Sequence, residues 1–247
     1  MEEAISRKVV IITGGTRGIG ESLVESFLNS GFCVVATGSN KENLKKLNVQ
    51  NKDKNLEYYH LDFLSKISVQ SFIKKINKYE KVDVLINNAG INKIDFIDDI
   101  SEKDWDSINM VNLKGPFLLA RVISKKMKKY KSGKIINIAS VFSMQSREKR
   151  ASYSASKWGL IGFTKAIALD LAPYNILVNA VSPGFVDTEL TRRILSSKEI
   201  KDLLKTIPQK RLAKPNEIAK VVLFLSSKEN TYITGQNIAI DGGFTSA

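Results

Sequence analysis

Two side chains that can exchange a proton, Tyr153 and Lys157, stand four residues apart in the stretch SMQSREKRASYSASKWGL. Residues at this spacing can lie one turn apart on the same face of a helix. A phenol has an ordinary pKa of about 10, so at neutral pH it is protonated and can donate a proton. A nearby ammonium group favours the phenolate, which accepts one. The pair is a candidate acid–base site, although the same spacing also serves structure alone.

A glycine-rich turn, TGGTRGIGESL, follows the first strand-like run of the chain. Gly14, Gly18 and Gly20 allow a tight turn and a close approach of the backbone to a ligand before a helix begins. The free N–H groups at the start of that helix favour a phosphate. Because the turn follows the first strand of an alternating strand–helix pattern, it predicts a dinucleotide site better than a bare turn would.

The second strand-like run, VVATGSN, ends near Gly38 and Ser39 without an acidic residue. A dinucleotide fold that selects NAD usually has an acid at this point to bond the ribose 2′-hydroxyl. Here Arg17 lies in the glycine loop, Ser39 ends the strand, and two lysines, Lys41 and Lys45, follow. These groups suit a 2′-phosphate, so the sequence predicts NADP(H) rather than NAD(H), unless they only face water.

The elements that must position these residues alternate along the chain between strand-like and helical stretches. The strand-like runs are Lys8–Thr13, Phe32–Thr37, Leu56–Leu61, Val82–Asn87, Lys134–Ala139 and Ile176–Val181. Strand alternating with helix predicts an α/β fold with a parallel sheet and helices on both faces. The runs are continuously apolar, as expected of strands buried on both faces. We find no repeat or linker, so residues 1–247 are expected to form one domain.

Polar residues follow two of these runs at the point where each ends. Asn88, Ala89 and Gly90 follow the fourth run, and Ser140 ends the fifth. Ligands of open α/β sheets bind at the carboxyl ends of the strands. The glycine loop also follows the end of a strand. Three motifs at the carboxyl ends of strands are stronger evidence for a ligand site than any one motif alone.

The helix expected from Tyr153 to Leu171 has apolar residues on more than one face, whereas a surface helix shows a single apolar stripe. It therefore needs cover on two sides. Its own sheet supplies one, and either a partner subunit or another helix of the chain supplies the other.

Composition narrows the class of protein. The chain has 247 residues, 43% of them hydrophobic, and its only cysteine is Cys33, which excludes an intrachain disulfide and indicates a reducing compartment. The first residues, MEEAISRK, lack the apolar region of a signal peptide, and no apolar run reaches the roughly 18 residues of a membrane span. We therefore expect a soluble, cytoplasmic protein without a membrane partner.

The net charge of +13 allows either an anionic partner or a solvated lysine surface. Neither an aromatic-interleaved basic motif nor a zinc spacing accompanies the charge, so we expect neither a nucleic-acid partner nor a metal. His60, the only histidine, lies at the end of the third run and is interpreted as structural.

Taken together, these motifs resemble the short-chain dehydrogenase/reductase family from about Arg7 to Gly243. The segments that carry the resemblance are TGGTRGIG, NNAG, the spacing of Ser140, Tyr153 and Lys157, SPG at Ser182–Gly184 and the terminal TGQNIAIDGG. It implies a single-domain Rossmann-type doubly wound sheet of about seven parallel strands in the order 3-2-1-4-5-6-7. It also implies an NADP(H)-dependent oxidoreductase that interconverts a ketone and a secondary alcohol, assembled as a homotetramer or at least a dimer.

The resemblance assigns catalytic roles to four residues. Tyr153 matches the acid–base residue, and Lys157 matches its helper, which also bonds the nicotinamide ribose. Ser140 matches the group that polarises the carbonyl, and Asn112 the asparagine that holds a proton-relay water. A ketone that accepts hydride develops alkoxide character and needs such donors within reach.

The cofactor-binding positions of the family fall on the pyrophosphate loop, the adenosine end, the cofactor wall, the catalytic pair and the nicotinamide end. In this sequence they are Gly14, Gly15, Thr16, Arg17, Gly18, Ile19, Gly20, Ser39, Asp62, Phe63, Asn88, Ala89, Gly90, Tyr153, Lys157, Pro183, Gly184, Val186 and Thr188. The substrate lid of the family corresponds to residues 189–212.

The substrate stays open between alternatives. The sequence looks nearest to reductases of 3-oxoacyl thioesters on acyl carrier protein: Lys131 matches one carrier-docking cation, but Tyr174 stands where they carry a second. A reductase or dehydrogenase of a sugar or nucleotide sugar is the main alternative. A non-catalytic NADPH-binding regulator is disfavoured, because such relatives usually lose the tyrosine or the lysine.

Four charged residues, Arg147, Glu148, Lys149 and Arg150, lead directly into the catalytic pair. In the family this loop borders the substrate pocket, so the run could form a basic rim for an anionic substrate. The alternative is a solvated loop with an internal ion pair of Glu148 worth under about 1 kcal/mol.

Overall fold

The computed structural model describes residues 7–246, except for the side chains of Leu190 and Ile194. Most of the N-terminal stretch MEEAISRK, from which the absence of a signal peptide was predicted, lies outside the described residues. The same holds for the outermost ends of the predicted domain, residues 1–6 and residue 247, and for two side chains of the predicted lid.

Within the described residues, seven parallel strands form one sheet in the order β3-β2-β1-β4-β5-β6-β7, which confirms the predicted fold and topology. The strands are β1 (Val9–Ile12), β2 (Cys33–Gly38), β3 (Leu56–His60), β4 (Val84–Asn87), β5 (Gly133–Ile138), β6 (Ile176–Pro183) and β7 (Asn237–Ile240). The first six lie within two residues of the predicted runs. Strand β6 runs two residues further because Ser182 and Pro183 still pair with β7.

Helices connect the strands and cover both faces of the sheet. They are α1 (Gly18–Asn29), α2 (Lys41–Gln50), α3 (Lys66–Ile76), α4 (Glu102–Asn109), α5 (Gly115–Tyr130), α6 (Ala151–Leu171), α7 (Glu189–Ile194), α8 (Ser197–Thr206) and α9 (Pro215–Ser226). A π-helical segment, Met110–Lys114, joins α4 to α5. Among the described residues, no helix combines the length and the apolar character needed to cross a membrane.

The core consists of one layer on each side of the sheet. Alternate residues of a strand point to opposite faces, so Ile11 packs with Phe72 and Leu119 on one side. Its neighbour Val10 packs with Phe27 and other residues of the second layer on the opposite side. Burial on both faces explains why the strands read as continuous apolar runs.

The apolar helix α6 is covered by the sheet on one side only. Its residues Leu160, Ala168 and Leu171 are buried. On its remaining surface Trp158 is 52% exposed and Leu169 is 79% exposed, although the ring of Phe163 contacts Phe117 of α5 at a centroid distance of 6.3 Å. The chain's own helices therefore supply part of the predicted second cover.

Candidate active site

The sheet brings the predicted site residues together at the carboxyl ends of its central strands. The glycine loop follows β1, Asn88 follows β4, and Ser140 follows β5 by two residues. The side-chain nitrogen of Asn88, Nδ2, donates to the carbonyl oxygens of Thr13 at 2.9 Å and Gly14 at 3.0 Å. These bonds tie the end of β4 to the glycine loop and fix one wall of the site.

Tyr153 lies in the first turn of α6, with its phenol beside the side chain of Ser140. Its ring packs edge-on against Phe142 at a centroid distance of 6.4 Å. Burial raises the pKa of the Tyr153 phenol above its ordinary value, while the neighbouring Ser140 hydroxyl and the charge of Arg150 oppose that rise. Near neutral pH the phenol is therefore protonated and able to donate.

Lys157 lies one turn further along α6 and is only 3% exposed. Its ammonium donates to the carbonyl oxygen of Ile138 at 2.8 Å and lies 5.6 Å from the centre of the Tyr153 ring. Burial lowers the pKa of the Lys157 ammonium to about 8. At neutral pH it therefore remains a cation close to the phenol, where it favours the phenolate.

Asn112 is buried in the π-helical segment between α4 and α5. Its side chain accepts from the backbone nitrogen of Ile91 and donates to the carbonyl oxygen of Ile91, both at 2.9 Å. A Cβ atom on Gly90 would lie 3.4 Å from Asn112 Oδ1 and 3.6 Å from Lys157 Nζ, so the two side chains meet beside this glycine. Such π-bulges occur frequently at functional sites.

A groove of about 500 Å³ runs along the same edge of the sheet. Its lining residues are Gly14, Thr16, Arg17, Gly18, Ile19, Gly20, Gly38, Ser39, Asn40, Asn43, Leu61, Asp62, Phe63, Leu64, Asn88, Ala89, Gly90, Ile91, Val111, Thr188 and Glu189. Thirteen of these were predicted as cofactor contacts from the sequence.

The glycine loop fits a pyrophosphate by its shape. Gly14 and Gly18 have φ angles of +66° and +56°, which favour glycine, and a Cβ atom on Gly20 would lie 1.9 Å from the Gly14 carbonyl oxygen. Arg17, which precedes α1, makes no side-chain capping bond. The first N–H groups of α1 thus stay available to an anion.

The far end of the groove suits an adenosine with a 2′-phosphate. Ser39, Asn40 and Asn43 line it just after β2, and the lining acids among the described residues, Asp62 and Glu189, belong to other elements. Arg17 is exposed at the same groove. The other predicted cations are not part of the lining, and one of them, Lys45, pairs with Glu42 at 3.1 Å.

Some predicted cofactor residues lie behind the groove instead of lining it. Gly15 packs against Ala36 and Val24, and Gly184 packs against Asp241. Val186 is buried, and Pro183 ends β6. Gly15, Gly184, Val186 and Pro183 thus shape the site by packing. The ammonium of Lys157 adjoins the groove beside Gly90, and Tyr153 lies one turn away on α6.

Sequence reasoning missed several lining residues: Gly38, Asn40, Asn43, Leu61, Leu64, Ile91, Val111 and Glu189. Most of them adjoin predicted positions. Asn40 carried a detectable signal, because its side chain accepts from the backbone nitrogen of Asn43 at 2.9 Å and so caps α2.

Within the described residues, the charged loop lacks the internal ion pair that one of its two interpretations expected. Among residues 7–246, Glu148 forms no salt bridge, whereas Lys149 turns its ammonium 4.3 Å above the ring of Phe96. Lys149 has a φ of +63°, and this left-handed turn separates the neighbouring side chains.

His60 lies at the edge of the adenosine end. Its ring nitrogens contact the carbonyl oxygen of Ser39 at 3.2 Å and the hydroxyl of Ser68 at 3.1 Å. These contacts agree with a structural role. No group of three or more metal-binding side chains occurs within the described part of the chain.

Comparison with known proteins adds a family and three relatives. The sequence profile described as enoyl-(acyl carrier protein) reductase matches residues 14–245. The 3-oxoacyl-[acyl-carrier-protein] reductase FabG of Thermotoga maritima is 40% identical over 239 residues, 96% of this chain and 97% of that protein. The NAD-dependent glycerol dehydrogenase of Listeria innocua is 37% identical over 242 residues, 98% of this chain and 95% of that protein. The structure described as ElxO with NADP bound is 31% identical and superposes with a TM-score of 0.91, covering 98% of this chain and all of the other.

Proposed function

The chain belongs to the short-chain dehydrogenase/reductase family, and on that premise we propose that it interconverts a ketone and a secondary alcohol with NADP(H). The observation that carries the proposal is the meeting of Ser140, Tyr153, Lys157 and Asn112 beside a groove with a pyrophosphate loop. Binding of a cofactor by a non-catalytic regulator does not require a buried phenol beside a serine and a buried ammonium.

The preference for NADP(H) rests on the adenosine end of the groove. The relatives include both NADP-binding and NAD-dependent proteins, so the residues of this chain must decide. An acid after β2 would select the ribose 2′-hydroxyl of NAD. Here Ser39 and the free guanidinium of Arg17 offer a hydroxyl and a cation to a 2′-phosphate.

NADPH held in the groove would supply the hydride from its nicotinamide. The side chains of this chain handle the carbonyl oxygen: Ser140 donates a hydrogen bond to it, and Tyr153 donates the proton of its phenol as negative charge develops there. The ammonium of Lys157 stabilises the phenolate that remains, and the phenolate regains a proton from solvent. In the oxidation direction the phenolate of Tyr153 removes the proton of the alcohol.

The first candidate substrate is a 3-oxoacyl thioester on an acyl carrier protein, as in the Thermotoga relative. Lys131 caps the end of α5, and the ammonium of Lys128 lies 4.4 Å above the ring of Tyr174. Tyr174, which stands where such reductases carry a second docking cation, therefore has the cation of Lys128 beside it. An acidic carrier could dock on these lysines.

The second candidate is a small polyol, sugar or nucleotide sugar in its keto form. The identity to a glycerol dehydrogenase favours it. The proposed lid, residues 189–212, contains α7 and α8, and Glu189 lines the groove at its start.

A turnover screen tests the proposal. Oxidation of NADPH and NADH is followed with acetoacetyl carrier protein, acetoacetyl-CoA, dihydroxyacetone and keto-sugar nucleotides. We expect reduction of at least one ketone, faster with NADPH. Lack of hydride transfer to every ketone, with cofactor binding intact, would leave the regulator as the better explanation.

We also propose that the enzyme is a homotetramer of the cytoplasm. The exposed faces of α5 and α6, with Phe117 and Trp158, support one interface, and β7 at the edge of the sheet supports a second. The single cysteine suits a reducing compartment.

A further inference from the structure

The last residue of the charged loop, Arg150, directly precedes α6 and lies beside the candidate catalytic tyrosine. Its guanidinium carbon is 5.4 Å from the ring centre of Phe142. The ring of Phe142 in turn packs edge-on against Tyr153 at 6.4 Å and Phe185 at 6.1 Å. A cation therefore lies on an aromatic wall that continues to the reacting phenol.

Arg150 is half-buried, and the hydrogen-bonding capacity of its guanidinium is only partly satisfied. Its Nε atom is buried without a hydrogen-bond partner, and none of the salt bridges among the described residues involves Arg150. Burial lowers the pKa of Arg150, and the charge of Arg147 acts in the same direction. A buried donor without an acceptor is unfavourable, so a ligand oxygen that accepts from Arg150 Nε would gain affinity here.

The other charges of the loop lie in different surroundings. Arg147 and Glu148 are exposed, and the ammonium of Lys149 lies over Phe96. Arg150 also makes no side-chain cap at the start of α6, so the helix does not explain its position. The loop is thus not a uniform basic rim, and Arg150 alone adjoins the wall formed by Phe142.

We infer that Arg150 binds a carboxylate or phosphate group of the substrate, with its guanidinium held beside Tyr153 by the buried ring of Phe142. The inference rests on the proposed function, which places the ketone at Ser140 and Tyr153. A planar guanidinium pairs with two oxygens of either anion. A carrier-bound 3-oxoacyl thioester has its phosphate at the far end of the carrier arm, so Arg150 favours a small anionic ketone such as a keto acid or a sugar phosphate.

The test compares matched substrates that differ in one anionic group. Acetoacetate is paired with methyl acetoacetate, and dihydroxyacetone phosphate with dihydroxyacetone, so that the two pairs separate carboxylate from phosphate recognition. Arg150→Gln should raise KM for the charged member of at least one pair by about tenfold or more, as expected for a lost charge-assisted bond. KM for the neutral member should stay within twofold.

Two further variants control for charge and folding. Arg150→Lys keeps the charge but loses the planar fork, so its KM for the charged ketone should lie between those of the wild type and Arg150→Gln. Arg147→Gln removes the same charge from an exposed position three residues earlier and should leave both members of each pair within twofold. Equal changes of KM for charged and neutral ketones in Arg150→Gln and Arg150→Lys would overturn the inference.

A binding measurement separates this inference from the proposed function. Calorimetric titration of acetoacetate and of inorganic phosphate into the protein with NADP⁺ present requires no turnover. Weaker binding by Arg150→Gln than by the wild type supports the anion site, even if the wild type reduces no ketone and the proposed function fails. Equal binding by the two proteins, or no binding by the wild type, would refute the site.

Discussion

Replacing Lys157 by methionine should change how the stability of the cofactor-free protein depends on pH. The ammonium is buried, donates to the carbonyl oxygen of Ile138, and has no carboxylate partner among the salt bridges of the described residues. Burial lowers the pKa of Lys157 from 10.5 to about 8 in the folded protein. The unfolded chain therefore binds this proton more tightly than the folded one.

The sign follows from the two pKa values. Below about pH 8 both states carry the charge, and the folded protein bears the full penalty of burying it. Between about 8 and 10.5 only the unfolded state keeps the proton, so the free energy of unfolding rises with pH. At about 1.36 kcal/mol for each pH unit, the wild type should gain about 3 kcal/mol across this window. Lys157→Met should lack this gain.

Urea unfolding of both proteins at pH values from 7 to 10.5 measures the difference directly. Lys165→Met is the matched control, since Lys165 is exposed on the same helix and its removal should leave the pH dependence unchanged. The reasoning would be refuted if the difference in the free energy of unfolding between the wild type and Lys157→Met stayed constant from pH 7 to 10.5. It would also be refuted if the wild type became less stable relative to Lys157→Met at high pH.

Four other changes test separate parts of the site and the surface. Tyr153→Phe should lower kcat by about 100-fold or more with cofactor affinity unchanged, and a rate above about a tenth of wild type would place the proton donor elsewhere. Arg17→Ala should erode a preference for NADPH over NADH of about tenfold in Kd by fluorescence titration, and an unaltered ratio would count against the 2′-phosphate contact. Gly20→Ala should weaken cofactor binding because its Cβ meets the Gly14 carbonyl oxygen, whereas Gly162→Ala, with open space around it, should bind normally. Trp158→Glu should dissociate the oligomer in light scattering, and a monomeric wild type at micromolar concentration would disprove the interface.

The fold followed from the sequence because the central strands are buried on both faces and because helical stretches alternate with the strands. The run Lys8–Thr13 contains β1, and the run Leu56–Leu61 contains β3. The order of the strands came from the family resemblance, since periodicity alone does not say which strands are neighbours. Strand β7 was not among the predicted runs because its residues, at the edge of the sheet, are half-buried or exposed, unlike those of the equally short β1 and β4.

The site residues were predictable where function depends on the geometry of the backbone. They were less predictable where function depends on which distant side chain a residue contacts in the folded protein. Gly14, Gly18 and Gly20 are required by the geometry of one loop, and a sequence motif expresses that geometry. Adjacent residues of the charged loop were indistinguishable in the sequence. Their separation depends on the left-handed turn at Lys149 and on a ring, Phe96, that lies far away in the chain.

The two cations closest to Tyr153 share a physical property that a surface lysine lacks. Burial lowers the pKa of both Lys157 and Arg150, and neither has a carboxylate among its described contacts. A protein that needed only structure at these positions would gain stability by placing an apolar side chain or an ion pair there. Positive charge beside a phenol stabilises the negative charge that develops on the alkoxide and on the phenolate during the reaction. It also attracts the negative charge of an anionic substrate. The net charge of +13 spread over the surface is screened within about 8–10 Å in physiological salt. The buried charge of Lys157 and the half-buried charge of Arg150 are screened less, so these two charges and not the overall charge should determine which substrates the site selects.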